Sequence, residues 1–157
     1  MSDEEIKIHR GLNNVYFDRT QTTYINGKEG ILEYRGYNIH DLSEKSSFEE
    51  VSYLLLYGKL PTKNELDAFN SSLKESRKIP SQVIDIIKSI KDSHPMDVLR
   101  TAVSALSAFD EEASDKSYDA TMRKGIRLTS QVPTIVMAHN SIRNGKDPVE
   151  PSKELSH

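Results

Sequence analysis

Apolar positions along this chain follow two rhythms, and the change between them falls near Gly36. Before it, Thr22-Thr23-Tyr24-Ile25 and Ile31-Leu32-Glu33-Tyr34 are rich in β-branched and aromatic side chains, the composition of strands. Asn26-Gly27 lies between them, followed by Gly30. Asn-Gly tolerates the positive φ angles of a tight turn, so the spacing predicts a two-stranded ribbon. A lone hairpin is marginal in water and needs a larger body to lie on.

After Gly36 the rhythm becomes helical. Asn38 is placed to cap a short helix through Leu42. Ser47-Phe48-Glu49-Glu50 is a capping box, in which hydroxyl and carboxylate satisfy each other's backbone amides. The helix it opens carries Phe48, Val51 and Leu54 or Leu55 and stops near Gly58. Thr62-Lys63-Asn64-Glu65 repeats the box after Pro61, and that helix presents Leu66, Phe69 and Leu73 before ending near Lys78. Pro80-Ser81 starts another helix, with Val83, Ile84, Ile86, Ile87 and Ile90. His94-Pro95-Met96 starts the next, since proline in a first turn lacks only an N–H that would have gone unpaired. There Met96, Leu99, Val103 and Leu106 form the expected buried stripe, flanked by Ala102, Ala105 and Ala108 that let another helix come close. The helix is expected to end around Phe109. Residues 110–117 form an acidic exposed loop. A long helical segment from about Tyr118 to Arg143 contains Pro133, where a kink is expected, and Asn144-Gly145 closes it. The organisation expected is a mobile leader (1–15), a β-hairpin (16–37) and a helical portion (38–157).

Composition narrows the functional classes. Apolar residues (Gly not counted) make up 36% of the chain, lean beside the usual ~45–50%, a scale that includes Gly. Part of the core is therefore expected from sequence outside this stretch or from a second subunit. The net charge is −3, with lysine and arginine interspersed among acids, so no basic patch points to nucleic acid. The absence of cysteine excludes disulfides, thiolate nucleophiles and zinc ribbons. Met1-Ser2-Asp3-Glu4-Glu5 is acidic, not a secretory signal, and no apolar run is long enough to span a bilayer. A cytoplasmic location is expected.

Five histidines invite a search for chemistry: His9, His40, His94, His139 and His157. None lies within four residues of another, so no metal-binding or nucleophile–base pairing is legible. His40 reads as a capping or surface group beside Asp41. His139 sits late in a helix, where its positive form would favour the carboxyl end. His94, close to Asp92, reads as an imidazole bonding backbone at a loop–helix junction, with a ligand-facing role as the alternative. Glu49-Glu50 and Glu111-Glu112 diverge on a helix and read as surface groups. Arg100, Arg123, Arg127 and Arg143 are candidates for anion contact. Arg123 and Arg127 share a helix face, and an ion-paired or solvated face is the favoured reading. Phosphate-cradling glycine motifs are absent.

Three strings carry a resemblance. Gly30-Ile31-Leu32-Glu33-Tyr34-Arg35-Gly36-Tyr37-Asn38-Ile39-His40-Asp41-Leu42 is similar to the G-x-L-x-Y-R-G-Y-x-I-x-D-L segment of citrate synthases. Phe48-Glu49-Glu50-Val51-Ser52-Tyr53-Leu54-Leu55-Leu56-Tyr57-Gly58-Lys59-Leu60-Pro61-Thr62 resembles the F-E-E-x-x-Y-L-L-x-x-G-x-L-P-T block that follows it. His94-Pro95-Met96-Asp97-Val98-Leu99-Arg100-Thr101-Ala102-Val103-Ser104 resembles the family's H-P-M-x-x-L-R-T-A-v-s helix. The resemblance implies a mainly α fold, the first helices and hairpin of the family's large domain, continuing beyond Leu155-Ser156-His157. It implies an acyltransferase that condenses acetyl-CoA with oxaloacetate to citrate and CoA, working as a homodimer. In that chemistry a carboxylate takes a proton from the acetyl methyl group, one histidine stabilises the enolate, and a second assists attack on the keto carbon. The family's G-P-L-H-G-G and G-F-G-H-R-V-Y strings do not occur here. No catalytic, cofactor-binding or metal-ligating residue is therefore assigned, and the stretch alone is expected to be inactive. The alternatives are a 2-methylcitrate synthase segment, which would use propionyl-CoA, and a non-catalytic helical dimerisation module.

Overall fold

A computed structural model describes residues 8–12, 15, 16 and 18–156. Most of the expected leader (1–15) lies outside that set; within it, Arg10–Leu12 form a single 3-10 turn. Three short strands follow: β1 (Thr23–Asn26), β2 (Ile31–Tyr34) and β3 (Tyr37–Asn38), in the antiparallel order β1-β2-β3. Six helices complete the described chain: α1 (Ile39–Lys45), α2 (Phe48–Tyr57), α3 (Lys63–Glu75), α4 (Ser81–Ser89), α5 (Pro95–Leu106) and α6 (Tyr118–Arg143). The mainly α class with a small sheet is thus as expected.

The sheet corrects the hairpin reading in two respects. It has a third strand, and its tight turn is Arg35-Gly36, not Asn26-Gly27. Asn26 pairs with Ile31, leaving a four-residue loop, and in that loop positive φ falls on Gly30. The Asn26 side chain instead accepts from the Lys28 and Glu29 amides. Between β2 and β3, with Tyr34 opposite Tyr37, Arg35 and Gly36 take φ values of 50° and 85°. Both central residues of a type I′ turn need positive φ. Glycine adopts it freely, whereas a residue with a Cβ is strained by about 1–2 kcal/mol. The Arg35 guanidinium offsets that strain by donating to the Leu55 carbonyl at 3.0 Å, near the carboxyl end of α2. There a cation also meets the negative end of the helix dipole.

The caps form as their residues dictate. Asn38 Oδ1 accepts the His40 amide. Ser47 with Glu50 and Thr62 with Glu65 complete reciprocal capping boxes on α2 and α3. Gly58 ends α2 at φ 81°. At the end of α6, the Gly145 amide donates to the Ile142 carbonyl and the Lys146 amide to the Ser141 carbonyl, a Schellman motif with Gly145 at φ 70°. Pro133 does not end α6; the helix runs through it, and the proline occupies an exposed position.

Two apolar clusters lie between the helices. The larger joins α4, α5 and α6 through Val83, Ile87, Val98, Ala102, Leu106, Ile135, Ala138 and Ile142, together with Ile79. The smaller joins Tyr53 of α2 to Phe69 and Leu73 of α3, with Leu56 and Ile126 against it. In it the Tyr53 ring meets Phe69 edge-on at 5.4 Å and stacks on Tyr57 at 4.3 Å. Gly125 lets α2 approach α6, because an added Cβ would stand 3.3 Å from Leu56 Cδ2. On α5 the expected stripe is rotated. Val98, Ala102 and Leu106 are buried, Leu99 and Val103 are half-buried, and Met96 is 62% exposed. Spacings of three and four fit either register, and Ala102 is buried in one cluster with Ile135, Ala138 and Ile142 of α6.

Candidate functional site

A network of charged side chains lies where the acidic segment 110–117 folds back onto α6. Arg127 donates to both Asp110 carboxylate oxygens at 2.9 and 2.8 Å and to Glu112 Oε2 at 2.8 Å. Arg123, one turn earlier, donates from Nε to Glu112 Oε1 at 2.9 Å and also from Nη2. Lys124 donates to the Glu112 and Asp115 carbonyls. Shared helix spacing put Arg123 and Arg127 on one face, and the ion-paired reading of them holds. The segment is correspondingly less free than a solvated loop: Asp110 and Glu112 are half-buried. Hydrogen bonds from Arg123 and then Arg127 hold the Glu112 carboxyl down to about 2. The Arg127 bond likewise lowers Asp110.

These groups edge a cleft of about 510 Å³ whose remaining lining includes Pro80, Val103, Leu106, Phe109 and Leu128. The cleft has no imidazole, and its cations are already engaged by acids or carbonyls. Such an arrangement fixes a segment in place; it does not supply a free base or an open anion seat.

The histidines do not gather. His94 is exposed at the amino end of α5, where its Nδ1 accepts the Met96 amide at 3.2 Å. That is the backbone role expected of it. His40 is exposed in the first turn of α1. His139 departs from expectation. It is only 5% exposed, and its Nε2 lies 2.9 Å from the Lys91 carbonyl, tying α6 to the α4–α5 connection. A carbonyl can only accept, so Nε2 carries the proton in that bond. His139 is thus a fastener inside the core and does not stand at a solvated helix end. His9 is exposed in the short stretch before the sheet, and His157 lies outside the described residues. Arg100 pairs with Asp97 at 3.1 Å, and Arg143 is exposed. Glu50 belongs to the α2 capping box, while Glu49, expected at the surface, is 8% exposed. It lines a small cavity with Asn70, Lys74 and Arg77. Among the described residues, no group of three or more His, Asp or Glu side chains is placed to hold a metal ion.

One buried cation had no local signal. Arg77, 7% exposed, donates to the Ser152 carbonyl and, at 3.0 Å, to the Leu155 carbonyl. Its own carbonyl accepts from Thr134 Oγ1 of α6 at 2.9 Å. Its partners lie 57 to 78 positions away in sequence, beyond any spacing rule.

Residues 11–157 match the family described as "Citrate synthase, C-terminal domain". The chain belongs to the citrate synthase family. It is 44% identical over 151 residues to a citrate synthase of Deinococcus radiodurans, covering 96% of this chain and 40% of that relative. To 2-methylcitrate synthase 1 of Corynebacterium glutamicum it is 38% identical over 152 residues, covering 96% of this chain and 39% of that one. Among solved structures, the citrate synthase of Pyrobaculum aerophilum superimposes with a TM-score of 0.91 at 36% identity, covering 96% of this chain and 40% of its own. The chain spans about 40% of the length of the citrate synthase relatives it matches.

Proposed function

We propose that this chain is a supporting portion of a citrate synthase, and that the condensation of acetyl-CoA with oxaloacetate needs residues outside it. The observation that carries this reading is the match over residues 11–157 to a citrate synthase family, in a stretch without a converging carboxylate and imidazoles among its described residues. Enolate formation from a thioester needs a base at the acyl methyl group and a hydrogen-bond donor at the developing oxyanion. In this proposal the sheet β1–β3 and the helices that follow it belong to the large domain. They form part of a homodimeric, cytoplasmic acyltransferase of the tricarboxylic acid cycle. The similarity to a 2-methylcitrate synthase supports a second reading in which the thioester is propionyl-CoA.

The test is CoA release with oxaloacetate and either thioester, measured for this chain alone. It is then measured for the chain extended by the remaining portion of the Deinococcus radiodurans relative. The expected result is background for the chain alone and turnover after extension, faster with acetyl-CoA. Turnover by the chain alone would overturn the proposal, and a propionyl-CoA preference would establish the second reading.

A further inference from the structure

The tripeptide Asn-Gly-Lys occurs twice, at 26–28 and at 144–146, and the fold treats the two copies differently. Asparagine followed by glycine is prone to spontaneous loss of its side-chain amide, because no Cβ keeps the next backbone nitrogen away from Cγ. At 144 the reacting atoms are engaged. The Gly145 amide donates to the Ile142 carbonyl at 3.0 Å, and Asn144 Nδ2 donates to the Asn140 carbonyl at 2.7 Å and to Asn140 Oδ1 at 3.4 Å. Freeing that nitrogen means opening the end of α6.

At 26 the arrangement is reversed. The Gly27 amide is exposed and has no partner among the described residues. Asn26 Oδ1 accepts the Lys28 amide at 3.2 Å and the Glu29 amide at 3.3 Å, while Nδ2 donates to Glu29 Oε2 at 3.0 Å. The ring closed from Oδ1 to the Lys28 amide runs through Cγ and the Gly27 peptide, and so folds the side chain over the nitrogen that would attack it. Both backbone donors face the oxygen on which negative charge develops during that attack.

We infer that Asn26 is a self-modification site, picked out by the fold from two identical tripeptides. The Gly27 nitrogen gives up its proton and bonds to Asn26 Cγ, the Cγ–Nδ2 bond breaks, and ammonia carries that proton away. Water then opens the succinimide at either carbonyl, leaving aspartate or isoaspartate at position 26. The product sets a carboxylate against Glu29 where an amide donor stood, and like charges loosen the β1–β2 loop.

The chain, alone and extended as above, is aged at mildly alkaline pH, both folded by circular dichroism and unfolded in urea. Peptides containing 26 and 144 are then weighed, with isoaspartate resolved. In the folded state Asn26 is expected to convert about fivefold faster or more than Asn144, the factor one net hydrogen bond at Gly145 represents. In urea the two rates should converge, and Asn26 should convert at least as fast folded as unfolded. Equal rates in the folded state overturn the inference, as does a ratio that persists in urea. An Asn26 that is slower folded than unfolded also overturns it, since the turn would then protect the amide. Gly27→Ala gives a second readout. Position 27 has open space around its Cβ direction and no positive φ, so the variant keeps the loop. Its methyl group should slow conversion at 26 by about tenfold or more and leave 144 unchanged. Undiminished conversion at 26 would mean that Gly27 is not the attacking residue.

Discussion

In the α4–α5–α6 core, Val83, Ile87, Val98, Ala102 and Ile135 are shut off completely from solvent, whereas in the sheet Ile25 remains 70% exposed and Tyr24 55%. The core is held by interdigitated apolar side chains. The sheet depends on one long-range polar anchor, Arg35 to the Leu55 carbonyl, in addition to its ladder. The contrast separates two kinds of stability: one spread over many contacts, the other gathered at a residue that is itself strained. It can be broken at both ends.

The largest effect is expected in the core. Ile135→Ala should lower unfolding stability by about 2–5 kcal/mol in urea denaturation followed by circular dichroism, through lost transfer free energy and a residual cavity. Ile25→Ala should change it by no more than about 0.5 kcal/mol, as for an exposed site. Equal costs would abolish the distinction. Arg35→Ala comes next. It removes a charge-assisted bond whose loss is worth about 1.5–3 kcal/mol, less any gain from deleting the buried Nε that has no partner. Amide exchange should accelerate throughout β1–β3 and stay unchanged at Val98 and Ile135. Acceleration in the core as well would show that sheet and core unfold together. Ser47→Ala and Thr62→Ala should each cost about 1 kcal/mol by removing a capping hydroxyl, and the two should add. A coupling beyond about 0.5 kcal/mol would mean that the helix starts are not independent.

The smallest effect concerns pH. The folded Glu112 carboxyl lies near 2, below its ordinary value. Its contribution is therefore fully present above the unfolded value of about 4.3 and is lost as pH falls toward 2. Glu112→Gln should lower stability at neutral pH, and the difference should close as pH falls through that window, so that the acid side of the profile flattens. High salt should shrink the difference, since Arg123 is half exposed. An unaltered acid limb would show that the 110–117 segment is not held by these charges.

What was legible in the chain is what depends on neighbours in sequence. Both capping boxes, the Asn38 cap and the glycine stops at 58 and 145 are short-range patterns, and each formed as its residues dictate. Of the expected α5 stripe, Leu106 is buried and Leu99 and Val103 pack against the core, but Met96 is exposed, because periodicity cannot weigh an alanine against a methionine. Ala102 is buried for its small size, and Met96 is left outside. The Arg35-Gly36 turn escaped because arginine is a poor choice for positive φ, and its compensation lies 20 residues away. Asp110 and Glu112 looked solvated because their arginine partners are 11 to 17 positions further on. The buried roles of Arg77 and His139 were invisible for the same reason.

The grip of Arg77 on the strap has one more implication. The guanidinium holds main-chain oxygens, which every amino acid supplies alike. For this grip position 155 can change identity so long as the path of the backbone is kept, whereas the Ser152 hydroxyl helps set that path by accepting the Glu154 and Leu155 amides. Position 77 has no such latitude: lysine would present a point charge instead of a planar fork. The tether is written at one residue and is blind to the letter at 155.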